Sequence, residues 1–356
     1  MEAITLVVWA TIGLGSVVLL VGTATLVVSV RKQRKAHHVE VVKPVITAEL
    51  ASRLDEDDPS WNDWVEELSP PEWSAVRETG KRLLPQIHGG ERTKLQQLVY
   101  ALGFTPERLR NDLESDNLYL TLRALSWLAL LEYPSAVDTA LRTCTWNQSV
   151  RTATARVLFE NDDPRAKRTG VDLLLWEGRE PLSIFGLDTL YRIVIRKPEY
   201  LLSIANEKHG EWEDAVLIQV LTVLQHCQSG VSPSSLTWIL FCLDHESPEV
   251  RAAALSTLAE YGWNQQLRDA VEIEDLLTDP SPKVRRIAYD VYGRWNTNLE
   301  RVVTAVQDEP DDLARLVGVR VLHTQGRQKR PANSPEALER TWRWVEAEHT
   351  AVLEDA

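Results

Sequence analysis

The chain has 356 residues, of which 44% are hydrophobic, and a formal net charge of −13. This length is more than one compact core usually takes, so it predicts two domains or an elongated repeat array. Glu2 is the only charged residue before position 31, and Arg31–Lys35 holds four positive charges, so residues 36–356 carry −16. An acidic body argues against a general nucleic-acid binder, because phosphate contacts need Lys and Arg. Three irregularly spaced cysteines argue against a disulfide framework.

The N-terminal segment predicts a membrane anchor over residues 1–30. Ile4–Val30 is a run of 27 residues without a charge, which as a helix would be about 40 Å long and could cross a ~30 Å hydrocarbon core. A cleaved signal peptide is the alternative, but it would carry its positive charges before a shorter apolar region. Here the basic cluster follows instead, so we expect a single-pass protein of the cell membrane. The N-terminus is expected outside and the rest of the chain in the cytoplasm.

One side of the predicted membrane helix is rich in small residues. They recur at steps of three and four at Thr11, Gly15, Val18, Gly22, Thr25 and Ser29. Such a seam lets membrane helices approach closely, although Gly, Ser and Thr are also common in membrane helices that have no partner.

Beyond the anchor we expect three regions. Residues 31–60, with Pro44 and an acidic run at positions 55–58, are interpreted as a basic and acidic juxtamembrane tether. Residues 61–333 show apolar spacings of three and four between turn signals, which predicts helices and no strand. Residues 334–356 predict an amphipathic helix that caps the array.

An internal repeat is visible by superposition. Ser247–Arg251 matches Ser281–Arg285 at a shift of 34 residues, and small residues follow at Ala254 and Ala288. Extending the shift gives equivalent anchor residues at Leu120, Val150, Ile184, Val216, Val250, Val284 and Ala314. The unit at Ile184 fits least well, since Asp188 stands where a small residue is expected.

These residues resemble the prokaryotic HEAT-like repeat family, in which an Asp-Pro turn precedes Val-Arg and a small residue. Asp279, Pro282, Val284, Arg285 and Ala288 match that signature well, and the unit around Val250 and Arg251 matches it too. The resemblance implies an all-α, HEAT-like α-solenoid of about seven helix pairs. It implies little about function, because such arrays serve many roles.

Arginines recur at one repeat position, at Arg151, Arg251, Arg285 and Arg315. In HEAT-like arrays this arginine commonly binds an acidic turn residue and joins neighbouring units. A row of ligand-binding arginines is the alternative. The partner-binding candidates are therefore Arg151, Arg251, Arg285 and also Arg286, which directly follows the recurrent arginine position. The resemblance places the Val-Arg helix on the concave side, so these residues would form a basic strip there.

The chain has thirteen tryptophans, and seven of them recur along the repeats, at Trp127, Trp146, Trp176, Trp212, Trp238, Trp263 and Trp295. Their spacing suggests packing between helices, and an aromatic platform for a sugar or peptide is the alternative. Trp342 and Trp344 lie two apart on a predicted helix, so one of them should face solvent and could mark a contact surface.

The functional hypothesis is a membrane-tethered scaffold that binds a membrane-associated protein. No phosphate-binding loop or nucleophile motif is present, so we expect no enzyme activity, no cofactor and no small-molecule substrate. No metal site is expected either, since His226-Cys227 and Cys242 with His245 have no standard zinc spacing. The alternative is a lyase-like enzyme or enzyme subunit, because bilin-attaching lyases share this repeat type.

Overall fold

The structure is a computed structural model that describes residues 21–23, 25–26, 29, 33, 37–131, 133–227, 231–295, 299–326, 330–331 and 334–354. Within these residues the chain is all-α and contains no β-strand. It divides into two compact units, Met1–Thr143 and Cys144–Ala356.

The first unit contains seven helices among its described residues. They are α1 (residues 37–55), α2 (Trp61–Glu67), α3 (Pro70–Leu83), α4 (Gly90–Ala101), α5 (Pro106–Leu113), α6 (Leu118–Leu131) and α7 (Pro134–Thr143). Its core is aromatic in part: the ring centroids of Phe104 and Trp127 are 4.5 Å apart, and those of Trp61 and Trp64 are 5.7 Å apart with the ring planes tilted by 48°. Ser69 and Glu72 form a capping box that begins α3.

Helix α1 corrects the interpretation of residues 31–60 as a tether. Its apolar residues Val39, Ile46, Leu50 and Leu54 lie on one side and are buried. The Lys94 ammonium on α4 donates to the carbonyl of Leu54 at 2.9 Å, at the C-terminal end of α1. Residues 37–55 are therefore part of the folded body of the first unit.

The second unit contains the two segments whose sequences match most clearly, around Val250 and Val284. Its helices are α8 (Gln148–Glu160), α9 (Thr169–Leu174), α10 (Ile184–Val194), α11 (Glu199–Lys208), α12 (Asp214–Leu224), α13 (Thr237–Phe241), α14 (Pro248–Glu260), α15 (Gln265–Ala270), α16 (Ile273–Leu276), α17 (Pro282–Trp295), α18 (Glu300–Gln307), α19 (Asp312–Thr324) and α20 (Glu336–Glu354). Helices α8, α10, α12, α14, α17, α19 and α20 pack in that order, each against the next. We call these seven the row helices.

The anchor residues are buried at the third residue of each row helix. Val150, Val216, Val250, Val284 and Ala314 are buried there, and so are Ala254 and Ala288 one turn later. This confirms the predicted burial of five of the seven anchor residues, whereas Leu120 in the first unit is half-buried. An N-cap side chain precedes several of these helices: Asn147, Ser183 and Asp311 each accept a hydrogen bond from a backbone N–H in the first turn.

The predicted register was wrong at α10. Ile184 is the first residue of that helix and is 91% exposed, whereas Gly186 and Leu190 are buried at the anchor position and one turn beyond. Gly186 fits because a Cβ there would lie 3.2 Å from the Leu182 Cβ. The correct equivalences are therefore Gly186 for Ile184 and Leu190 for Asp188.

Small residues are required where the row helices approach most closely. Gly318 on α19 faces Tyr289 on α17 and Val306 on α18, and a Cβ there would collide with the Val306 side chain. At the end of the row, α20 buries Leu338, Trp342 and Val345, while Trp344 is 53% exposed. This confirms the amphipathic C-terminal helix and the outward-facing tryptophan.

Most of the predicted membrane segment lies outside the described residues, including Thr11 and Gly15. Gly22, Thr25 and Ser29 are helical, and the Thr25 hydroxyl donates to the Val21 carbonyl at 2.7 Å. Among the residues that are described, no helix is both long and apolar enough to cross a membrane. The anchor and its seam stay predictions.

Candidate partner-binding surface

The four recurrent arginines each occupy the fourth residue of a row helix and make the same backbone contact. Each directs Nη1 at the carbonyl of the residue six positions earlier. The bonds run from Arg151 to Thr145 (3.4 Å), Arg251 to His245 (2.8 Å), Arg285 to Asp279 (2.7 Å) and Arg315 to Glu309 (2.6 Å). The arginine therefore fixes the turn that leads into its own helix.

Two of these arginines also reach the next repeat. Arg251 donates from Nε and Nη2 to both carboxylate oxygens of Asp279, each at 2.8 Å. Arg285 does the same to Glu309, at 2.8 and 2.6 Å. Asp279 and Glu309 are also the residues whose carbonyls bind the following arginine, so the contacts form a continuous ladder. Arg315 ends it with bonds to Asp312 and Thr341.

The ladder carboxylates are held in their charged form. Burial raises the pKa of Glu309, but hydrogen bonds from Arg285, the Asp311 backbone and Tyr289 outweigh it, so the net pKa is lowered. The pKa of Asp279 is lowered in the same way. Burial raises it, but the hydrogen bonds from Arg251 and from the Ser281 backbone outweigh burial. The guanidinium groups of Arg251 and Arg285 are thus paired with carboxylates of this chain. The basic strip expected from the sequence would have to come from other residues.

Arg286 and Arg151 are placed differently. Arg286 is half-buried, and its Nε donates to the Pro282 carbonyl on its own helix at 3.2 Å. Arg151 forms no ion pair with any described residue, and the residue equivalent to Asp279 in the next repeat is Pro181. Its guanidinium lies over the ring of Trp176 instead, 5.7 Å from the centroid, and its buried Nε has no hydrogen-bond partner among the described residues.

Trp176 is presented by a strained turn after α9. Glu177 has φ 58° and Gly178 has φ 64°, both in the left-handed region. Gly178 is needed there because a Cβ would collide with the ring of Trp212, and its carbonyl accepts a hydrogen bond from the Glu213 backbone at 2.9 Å. The turn leaves the Trp176 side chain 50% exposed. Backbone strain of this kind persists where the surrounding structure enforces it, and it often marks functional sites.

Trp176 forms a wall of two cavities in the second unit. The arginine cavity, of about 610 Å³, is lined by Trp146, Asn147, Gln148, Ser149, Arg151, Trp176, Glu177, Arg179 and Glu180. The acidic cavity, of about 590 Å³, is lined by Arg168, Asp172, Leu175, Trp176, Glu177, Tyr200, Ser203, Ile204, Glu207, Lys208, Glu211 and Trp212. We call the surface formed by these two cavities the Trp176 surface.

The tryptophans divide between packing and exposure. Trp127, Trp212 and Trp238 are buried, as the packing interpretation predicts. Trp146 and Trp176 are half-exposed on the Trp176 surface, and Trp263 is exposed elsewhere in the second unit. The sequence therefore indicated Arg151 and Trp176 separately, and the structure brings them together.

The cysteines are placed as core residues. All three are buried and none forms a disulfide within the described residues, and burial raises the pKa of Cys227 and of Cys242 to about 11. A thiol with that pKa is a poor nucleophile at neutral pH. Within the described part of the chain, no group of three His, Cys, Asp or Glu side chains is arranged to hold a metal ion.

Comparison with known proteins leaves the chain without an assigned family. No protein-family model matches it, and no characterised protein matches it significantly.

Proposed function

We propose that the chain is a membrane-anchored HEAT-like repeat protein that works as a scaffold by binding another protein through the Trp176 surface. Support for the HEAT-like α-solenoid comes from the second unit, where row helices pack in sequence and repeat the same buried anchor and the same arginine contact. The resemblance to the prokaryotic HEAT-like family remains part of this proposal.

The observation that carries the binding role is the composition of the Trp176 surface. Trp146 and Trp176 are each half-exposed, and Arg151 lies against Trp176. Tryptophan and arginine are enriched among the residues that dominate binding energy in protein interfaces. A half-exposed tryptophan beside a cavity leaves apolar area that a partner side chain can cover.

The membrane part of the proposal rests on the sequence. Residues 4–30 are uncharged, and four basic residues follow them directly. The positive-inside rule then places the repeat domain in the cytoplasm, near the membrane surface. A membrane-associated protein is accordingly the expected partner, and the seam from Thr11 to Ser29 is a second contact that it could use.

The test is crosslinking and affinity capture of the full chain from native membranes, with the partner identified and then purified for direct binding. Trp176→Ala should reduce capture of that partner at least tenfold, since aromatic interface residues of this kind carry about 2 kcal/mol or more. Trp263→Ala is the matched control, because Trp263 is also exposed but lines neither cavity. Equal capture by Trp176→Ala and wild-type protein would refute the assignment of this surface.

The lyase-like alternative has one observation in its favour. Inside the acidic cavity the Tyr200 hydroxyl donates to Asp172 at 2.6 Å, and burial together with that bond raises the pKa of Tyr200. Tyr200 is therefore neutral at pH 7, and a neutral hydroxyl beside a carboxylate can hold a substrate by hydrogen bonds. Loss of a chemical activity in Tyr200→Phe with unchanged partner capture would favour the enzyme over the scaffold.

A further inference from the structure

The acidic cavity combines aromatic walls with unpaired carboxylates. Trp176 and Tyr200 contribute aromatic faces, and the buried Trp212 forms part of the floor. The negative face of an aromatic ring attracts a cation placed over it. One such contact already exists, since the Arg168 guanidinium lies 5.6 Å from the centroid of the Tyr200 ring.

The charges around this cavity are unbalanced. Its lining carries four carboxylates, on Asp172, Glu177, Glu207 and Glu211, against the two cations Arg168 and Lys208. Asp172 is engaged by Tyr200, whereas the other three carboxylates are exposed and form no ion pair with any described residue. An additional cation would relieve the repulsion among them, and an anion would increase it.

We propose that the acidic cavity receives a lysine or arginine side chain of the partner, held between the Trp176 ring and the carboxylates of Glu207 and Glu211. This inference rests on the proposed scaffold function and specifies the chemistry of its partner. The alkyl stem of such a side chain would lie against the exposed Trp176 ring, while its charged end stays near the carboxylates at the rim. The partner segment is therefore basic, opposite in sign to the acidic body of this chain.

The test uses the full chain with ¹⁵N-labelled tryptophan indoles, titrated with N-acetylarginine amide and N-acetyllysine amide. Both should shift the Trp176 indole resonance, assigned with Trp176→Phe, whereas N-acetylglutamate amide and neutral N-acetylglutamine amide should not. The double variant Glu207→Gln/Glu211→Gln should weaken binding roughly tenfold, because each exposed ion pair contributes up to about fivefold. Glu199→Gln is the control, since Glu199 is exposed on the same helix as Glu207 but does not line the cavity.

Three outcomes would overturn the cation site. The anionic probe binds, the double variant binds the cationic probes as tightly as the wild type, or neither cationic probe shifts the Trp176 resonance. Partner capture separates this failure from failure of the proposed function. If Trp176→Ala abolishes capture while the double variant captures normally, the scaffold role stands and the cation site is wrong. If the cationic probes bind as expected while Trp176→Ala captures normally, the cavity binds cations but the scaffold assignment is wrong.

Discussion

Arg285 and Glu309 form a two-point ion pair in which both side chains are closed to solvent. Arg285 is 9% exposed and Glu309 is 5% exposed, and the two N–O distances are 2.8 and 2.6 Å. The pair joins α17 to the turn before α19. It therefore stabilises the protein only while these two neighbouring helices stay packed together.

Removing the arginine of this pair should destabilise the protein strongly. Arg285→Met leaves Glu309 charged, buried and without its main partner, which costs about 3 kcal/mol or more. The neighbouring Arg286→Met is the control, because Arg286 is half-buried and bonds only its own helix in the described contacts, so it should cost less than ~1 kcal/mol. Urea unfolding of both variants measures the difference, and equal stabilities would show that the ladder does not join the repeats.

The ladder also predicts how stability depends on acid. The pKa values of Asp279 and Glu309 are lowered in the folded state. Their contribution to the free energy of unfolding is therefore fully present above the pKa values of the unfolded chain, about 4, and is lost as pH falls through the folded pKa values. The melting temperature should therefore fall steeply below about pH 4, and less steeply in Glu309→Gln, which starts lower at pH 7. The exposed Asp269→Asn should keep the wild-type slope. A slope in Glu309→Gln equal to that of wild type would contradict this assignment.

The turn that presents Trp176 depends on one glycine. Gly178→Ala introduces a Cβ that collides with Trp212 and holds alanine at φ 64°, so we expect a loss of about 2 kcal/mol or more and a shifted Trp212 indole resonance. Gly210→Ala is the control, since its Cβ would meet no atom within 4 Å. Calorimetry and indole NMR distinguish the two variants, and a Gly178→Ala protein as stable as Gly210→Ala would show that Trp212 can move freely.

Deletion from the N-terminus should separate the anchor from the folded body. Removing residues 1–30 should release the protein from salt- and alkali-washed membranes and leave its melting temperature unchanged. Removing residues 1–60 should also expose the apolar surface that Val39, Ile46, Leu50 and Leu54 cover, and should lower the melting temperature of the first unit by several degrees. Full-length protein in the soluble fraction would contradict the anchor, and equal melting of both deletions would contradict the role of α1.

The sequence predicts burial well where helices keep one register. Val250 and Val284 are found because each sits at the third residue of a row helix after the same Ser-Pro start. The register fails at α10 because the interval to Gly186 is longer there and the glycine has no side chain to reveal its burial. The tether interpretation fails at α1 because Pro44 and the β-branched residues around it resemble a linker. The buried apolar residues of α1 nevertheless follow helical spacing.

The Trp176 surface was predictable only in part. Arg151 follows the repeat and Trp176 belongs to the spaced tryptophans, so each is visible in the sequence. The acidic cavity joins Asp172, Tyr200 and Glu211 from separate elements, and polar surface residues carry no periodic signal. The signal that was available is the Glu177-Gly178 pair after α9, since a glycine at a helix end marks a left-handed turn.

The links between neighbouring row helices change in kind along the second unit. Around α14 to α20 they include the buried arginine–carboxylate ladder. Near α10 the fourth residue of the helix is Leu187, and Gln219 makes a pair of neutral amide bonds with the backbone of Leu182. An ion pair near α10, between Arg156 on α8 and Asp188 on α10 at 2.6 Å, is partly exposed. Protonation of the carboxylates weakens the ladder more than the Arg156–Asp188 pair, because an exposed ion pair contributes less than a buried one, and it leaves the amide bonds intact. Below about pH 4 the helices near the C-terminus should therefore lose their hydrogen-exchange protection first, and the part that presents Trp176 should lose it at lower pH.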